Sequence, residues 1–276
     1  METRLGRIPA ACERPEPLKF AWPLILLPEI FTTARHLAVA RGYFASIGWE
    51  VYAPDLRAAA EFTRGDGFDN LIALLAEALT ALAQDVIVVG HGLGGLLALG
   101  AVALPPVRAA VALAPMLPGL KSPLVTGAAN LPSRLCGRPL KPPRGAALFH
   151  LLADAEPFQR EALVRSMRAE EASAAREVMR GGIKFVEARL ANNPRAVPRL
   201  IVAGDSDPFA PLEDTGRLAE RIGAAIRVVR GRGHWLIGGR ALERAVAEVQ
   251  RFLVRNLGGD LLLLYPEPSK EPNDER

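Results

Sequence analysis

The sequence predicts an α/β protein: a mostly parallel twisted sheet of about six strands, with helices on both faces and a helical lid insertion. Two features carry that expectation. Short runs that are apolar at every position alternate with stretches of helical periodicity, and strands apolar on both sides belong in parallel sheets covered by helices. One run, "VIVVGHGLGGLLAL" (Val86 to Leu99), also passes from strand to helix through a glycine corner with no intervening loop.

In chain order, "WPLILLP" (Trp22 to Pro28) reads as a buried strand. The helical spacing of "TTARHLAVARGYFASIG" follows, with threonines at its start and Gly48 as its stop. "WEVYAPD" (Trp49 to Asp55) is a second strand and "NLIALLAEALTALAQ" a second helix. "DVIVVG" (Asp85 to Gly90) runs into the helix "LGGLLALGAVAL", and "RAAVALAP" (Arg108 to Pro115) is a fourth strand. After a long gap come the strand "RLIVAG" (Arg199 to Gly204), the helix "EDTGRLAERIG", the strand "AIRVVRG" and the helix "RALERAVAEVQRFLVRNL". The core is thereby expected at residues 18–115 and 198–258. The segment 116–197 breaks the alternation, first as a Pro-, Gly- and Arg-rich loop and then as two or three helices, and is expected to lie over the sheet as a lid. Residues 259–276 form a tail whose polar end is expected to be disordered, with Leu261 to Tyr265 packing on the body or on a partner chain.

The 276 residues are half hydrophobic and 23% charged, enough for a large core. The net charge of +4 comes from scattered arginines, with no basic block and no interleaved aromatics, so no nucleic-acid partner is expected. Two distant cysteines, Cys12 and Cys136, imply a reducing compartment and no disulfide framework. No apolar leader precedes the core and no run approaches the ~20 residues of a membrane span, so a cytoplasmic chain without membrane contact is expected, as monomer or homodimer.

The corner Gly90-His91-Gly92-Leu93-Gly94-Gly95 fits G-x-G-x-x-G, the dinucleotide fingerprint. That reading needs an acidic residue ~20 positions on to hold a ribose, and Ala112 to Pro115 stand there instead. The corner also fits G-x-S-x-G, the nucleophile elbow, in which a sharp strand-to-helix turn holds its central residue at positive φ. Here that centre is Gly92, which adopts the turn freely and offers no atom to attack with.

At this point the chain resembles the α/β-hydrolase superfamily, over roughly Leu18 to Leu257. "IVAGDSDPFAP" is similar to the family's acid turn, with Asp207 at the matching position, and "VVRGRGHWLIG" to its histidine loop, with His234. Elbow, acid and histidine follow in the family's order. The resemblance implies a catalytic set of Asp207 and His234 with Gly92 as the vacant nucleophile position. It implies an oxyanion hole from the amide of Leu93 and one near Ile30 or Phe31. "LPEIF" is similar to the dienelactone-hydrolase branch, which places a Glu where Glu29 stands. Glu29, His91, Phe209 and Trp235 are the candidate substrate-binding residues. Bland alternatives stay open: Glu29 as a surface or capping carboxylate, His91 as a structural side chain, Asp205 in place of Asp207, and His234 as an inherited residue. Relocated nucleophiles at Ser206, Ser122, Ser133 or Cys136 are a remote option, and His36 and His150 read as surface or core.

No spacing of His, Cys or carboxylates suggests a metal, and no cofactor is expected. A water held in the space left at residue 92 could be activated by His234, so the leading expectation is non-covalent general-base chemistry on a small, mainly hydrophobic carbonyl or ester compound. The alternatives are a non-catalytic hydrolase descendant that binds a ligand or protein partner, and an ester or thioester hydrolase whose nucleophile has been replaced.

Overall fold

A computed structural model describes residues 1–58, 67–119, 139–169, 176–178, 184–191 and 195–263, with the isolated positions 123 and 130. Its eight strands are β1 (Glu2–Leu5), β2 (Ile8–Glu13), β3 (Leu24–Leu27), β4 (Val51–Pro54), β5 (Val86–His91), β6 (Val107–Leu113), β7 (Arg199–Gly204) and β8 (Ala225–Val229). They form one sheet in the order β1-β2-β4-β3-β5-β6-β7-β8. From β4 to β8 every pairing is parallel, while β1–β2 and β2–β4 are antiparallel. The residues of β3, β4 and β5 are buried at every position, so both faces of the central sheet are covered.

The sheet is two strands wider than the expected six. The missed pair is the N-terminal hairpin, so the sheet begins at Glu2 rather than near residue 18. β2 hides from pattern reading because it carries Pro9 and two alanines, residues that weaken strand propensity. Its burial nonetheless places Ile8, Ala10 and Cys12 in the core.

Among the described residues the α-helices are α1 (Ala38–Ser46), α2 (Phe68–Leu82), α3 (Leu93–Gly100), α4 (Gly145–Leu151), α5 (Pro157–Ser166), α6 (Lys184–Ala191), α7 (Leu212–Ile222) and α8 (Gly239–Leu261). The wholly buried α3 packs on β5 and β6, and α8 packs on β6, β7 and β8. α8 runs through Gly258 and Gly259, past the expected end at Leu257. Its last residue, Leu261, is buried on the body, with its carbonyl accepting from the Ala21 amide at 2.8 Å, whereas Leu262 and Leu263 are exposed. Leu264, Tyr265 and the rest of the tail lie outside the described residues, as do Ser122, Ser133 and Cys136. No described helix is long and apolar enough to cross a membrane.

The glycine corner joins β5 to α3 as the sequence demands. A Cβ on Gly90 would run into the Gly94 carbonyl, and one on Gly94 into the carbonyl of Leu27 on β3. Those close approaches let α3 start directly on the sheet, and they aim the corner at the carboxyl ends of β3, β5 and β7, where ligands bind in such sheets.

Candidate functional site

Four loops converge above those strand ends. The corner supplies Gly92, with φ 54° and ψ −114°, a conformation that favours glycine. Its amide donates to the Leu113 carbonyl at 3.0 Å, and its own carbonyl accepts from Leu96 and Met116. The turn after β7 supplies Asp207, whose Oδ1 accepts the amides of Phe209 (2.8 Å) and Ala210 (3.2 Å). The loop between β8 and α8 supplies His234, and Asp207 Oδ2 lies 2.8 Å from its Nδ1. Asp205, the alternative partner, instead points outward and accepts from the Gly231 amide at 2.7 Å.

The fourth loop, after β3, supplies Glu29. Its carboxylate is fully buried and bonds the corner and the histidine loop at once. Oε1 accepts the amides of Ile30 (2.6 Å) and Leu93 (2.8 Å), the amides expected to form an oxyanion hole. Oε2 lies 2.9 Å from His234 Nε2. A Cβ built on Gly92 would fall on this same Oε2. Two expectations are thereby corrected. Glu29 is not a surface group, although its Oε1 does cap the first amide of α3, and the space left by the missing side chain at residue 92 is filled by a carboxylate rather than left for water.

The Glu29 loop is held from outside. Its carbonyl accepts from the Thr32 amide, the Thr32 hydroxyl (2.8 Å) and Arg57 Nη1 (3.1 Å). Phe31, the alternative oxyanion donor, is buried with φ 67° and gives its carbonyl to the Arg168 amide. A non-glycine residue there stores ~1–3 kcal/mol of strain, which the surrounding bonds must hold.

His91, expected to be structural or to bind substrate, is wholly buried and donates Nε2–H to the His234 carbonyl at 2.8 Å. Phe209 meets the His234 ring edge-on with centroids 5.2 Å apart, and Trp235 meets His91 in the same way at 5.6 Å. Both aromatics are buried, so they wall the cluster. His36 is also buried, accepting from the Thr33 amide and bonding the α5 end at Leu163, while His150 is exposed. Sequence reading missed Asp154, in the segment 116–197. Its Oδ2 accepts the Gly233 amide at 2.6 Å and fixes the histidine loop one residue from His234. No local pattern marks such a contact.

Burial alone would drive the proton off His234. The Asp207 charge and hydrogen bond, aided by Glu29, overcome it and push the imidazole up to about 10. For Glu29 and Asp207 burial raises the value, but His234 and the backbone amides bring both below the usual carboxylate range. His91 goes the other way, to about 4, through burial and the neighbouring imidazolium. At neutral pH the cluster is therefore two carboxylates, one imidazolium and one neutral imidazole.

These shifts set a stability profile. The His234 contribution is fully present below the ordinary histidine value of 6.5 and is lost as pH rises toward about 10. The His91 contribution has the opposite sign, present above 6.5 and lost as pH falls toward about 4, and His36 adds to that acid arm. Stability is expected to peak near pH 6.5 and to fall on the alkaline side by roughly 1 kcal/mol per pH unit. Urea unfolding from pH 5 to 9.5 measures it, and a His234→Ala chain that kept the alkaline slope would contradict the assignment.

A family model described as the alpha/beta hydrolase family matches residues 20–249. Solved structures of similar fold include a monoacylglycerol lipase from Paleococcus ferrophilus, at 18% identity and TM-score 0.66, covering 89% of this chain and 98% of that one. A thermophilic esterase from Thermogutta terrifontis aligns at 16% identity and TM-score 0.67, covering 92% and 98%. The thioesterase domain of a curacin biosynthetic pathway aligns at 18% and 0.63, covering 92% and 98%. No curated protein matches the sequence. With the sheet order, the glycine corner and the family match in agreement, this chain belongs to the alpha/beta hydrolase family.

Proposed function

We propose that this chain is a hydrolase-fold protein with a degenerate triad that has given up covalent ester chemistry, its site closed by its own Glu29. The observation that carries this is the Glu29 carboxylate. One oxygen takes the place where a nucleophile's side chain would begin, and the other takes the two amides that would receive an oxyanion. A nucleophilic hydroxyl forms the acyl-enzyme while the imidazole moves its proton. Here there is no hydroxyl, and both ring nitrogens of His234 already face carboxylates.

In this reading the chain is a non-catalytic descendant that binds a small carbonyl or ester compound or a protein partner. A carbonyl ligand reaches the Leu93 and Ile30 amides only by displacing Glu29. Helices α4 and α5 serve as a cap, held to the site loops through Asp154 on Gly233 and Arg168 on Phe31. The intact His234–Asp207 pair at 2.8 Å favours a second reading, in which Glu29 swings out and His234 acts as general base on a bound water.

The parent and His234→Ala chains, assayed side by side on p-nitrophenyl esters of two to eight carbons and on acyl thioesters, separate the two. The closed-site reading expects no burst and equal background rates for both chains. Turnover that vanishes in His234→Ala would establish the general-base reading, and a stoichiometric burst would overturn both.

A further inference from the structure

His91 has no part in the reading above, yet its chemistry is specific. The partner of Nε2 is the His234 carbonyl, which can only accept, so the ring proton sits on Nε2 and Nδ1 keeps a bare lone pair. That Nδ1 is buried with no hydrogen-bond partner. Buried acceptors are normally satisfied, and each exception calls for a reason.

His91, His234 and Glu29 each offer a ligand-type atom, and these atoms lie within 4.8 Å of one another. The two histidines share a further feature. Metal-bound histidines donate their other ring N–H to a carboxylate or a backbone carbonyl, which fixes tautomer and ring orientation. His234 does so through Nδ1 to Asp207, and His91 through Nε2 to the His234 carbonyl. The third group, Glu29, is anchored by two amides on its other oxygen.

We propose that Glu29, His91 and His234 form a binding site for one divalent cation of the zinc type, with Asp207 and the His234 carbonyl as outer partners. Two nitrogens and a carboxylate oxygen suit zinc, which takes such ligands at about 2.0–2.2 Å and so places them roughly 3.3 Å apart. The His234–Glu29 pair, at 2.9 Å, is near that spacing already, and the ligand-type atom of His91 lies within 4.8 Å of both. The cation would tie together the loops after β3, β5 and β8. The site stands on geometry alone and does not depend on whether the chain turns over esters.

The test loads chelator-stripped chain with Co²⁺ and then competes it with Zn²⁺. Expected are one equivalent per chain, the intense visible bands of four-coordinate Co²⁺, and their loss on adding Zn²⁺. Glu29→Gln and His91→Gln are expected to weaken binding by 100-fold or more, and Asp207→Asn by roughly 10–100-fold. Should a variant fail to fold, nitrogen-15 spectra of the parent's four histidines decide the matter, because zinc must move the ring signals of His91 and His234 and leave those of His36 and His150. Less than a tenth of an equivalent bound, octahedral Co²⁺ spectra, binding unchanged in folded Glu29→Gln and His91→Gln, or shifts confined to His150 would overturn the proposal.

Discussion

Gly92→Ser by itself is expected to yield no esterase, whereas Gly92→Ser combined with Glu29→Ala is expected to show burst kinetics and a gain of about 10³-fold or more over the parent. The single change puts a side chain where Glu29 Oε2 already lies, and it does so at a positive φ that L residues adopt only under strain. Glu29 must then be expelled into apolar surroundings, or the new hydroxyl must turn away from His234. Removing the carboxylate in the same chain frees the Leu93 and Ile30 amides and leaves His234 Nε2 open to accept the serine proton. Stopped-flow release of p-nitrophenol, with titration of the burst amplitude against chain concentration, reads the result. If Gly92→Ser alone acquires the full burst, Glu29 is not the group that closes the site. If the double variant folds and remains silent, the elbow and its amides are not poised for acyl transfer.

The two halves of this site differed in how far the sequence exposed them. Gly90 announces the corner because its steric demand is local, set by the Gly94 carbonyl four residues on, and Gly94, which answers to the Leu27 carbonyl on β3, is legible through its place in the same motif. Asp207 and His234 are legible for a related reason, since each sits in a short turn with its own residue signature after a strand. Glu29 was legible as a polar residue near the site and illegible as its plug. Its contact with His234 spans 205 residues, and its room exists only because Gly92 lacks a side chain. Asp154 was invisible on the same principle, 79 residues from the amide it fixes. Local sequence encodes turns and propensities, while a buried charge network is specified by distances that only the assembled sheet defines.

The fold shows the same division. The central strands β3, β4 and β5 were readable because parallel strands covered on both faces are apolar throughout, whereas the edge strand β8, with Arg227 and Val228 exposed, was readable from its β-branched residues. The antiparallel pair β1 and β2 gains its stability from pairing with β4 and from burying Ile8 and Cys12, which pattern and propensity do not display. The proposed cation site would be hidden in the sequence for the same reason. Glu29, His91 and His234 are brought together by three different strand ends, so the spacing that marks a zinc loop never appears along the chain.

His234→Ala is expected to cost about 3–5 kcal/mol of stability, and Glu29→Gln less than about 1 kcal/mol, although the two residues share one hydrogen bond. The alanine leaves Glu29 and Asp207 as two buried anions with no cation between them, keeping only their amide donors. The glutamine keeps every partner. Its oxygen accepts from Ile30 and Leu93, and its NH₂ donates to Nε2 of a His234 that is now neutral and still donates Nδ1–H to Asp207. With His234 neutral in this variant the imidazole is no longer held protonated toward about 10, so Glu29→Gln should also remove the His234 share of the alkaline arm of the stability profile. The pair is expected to be non-additive, with Glu29→Gln recovering part of the loss in the His234→Ala background, because it removes one of the stranded charges. Urea unfolding of the four chains at pH 7 measures the cycle. Equal costs for the two single changes, or strict additivity, would mean that His234 is not held as a cation between two carboxylates.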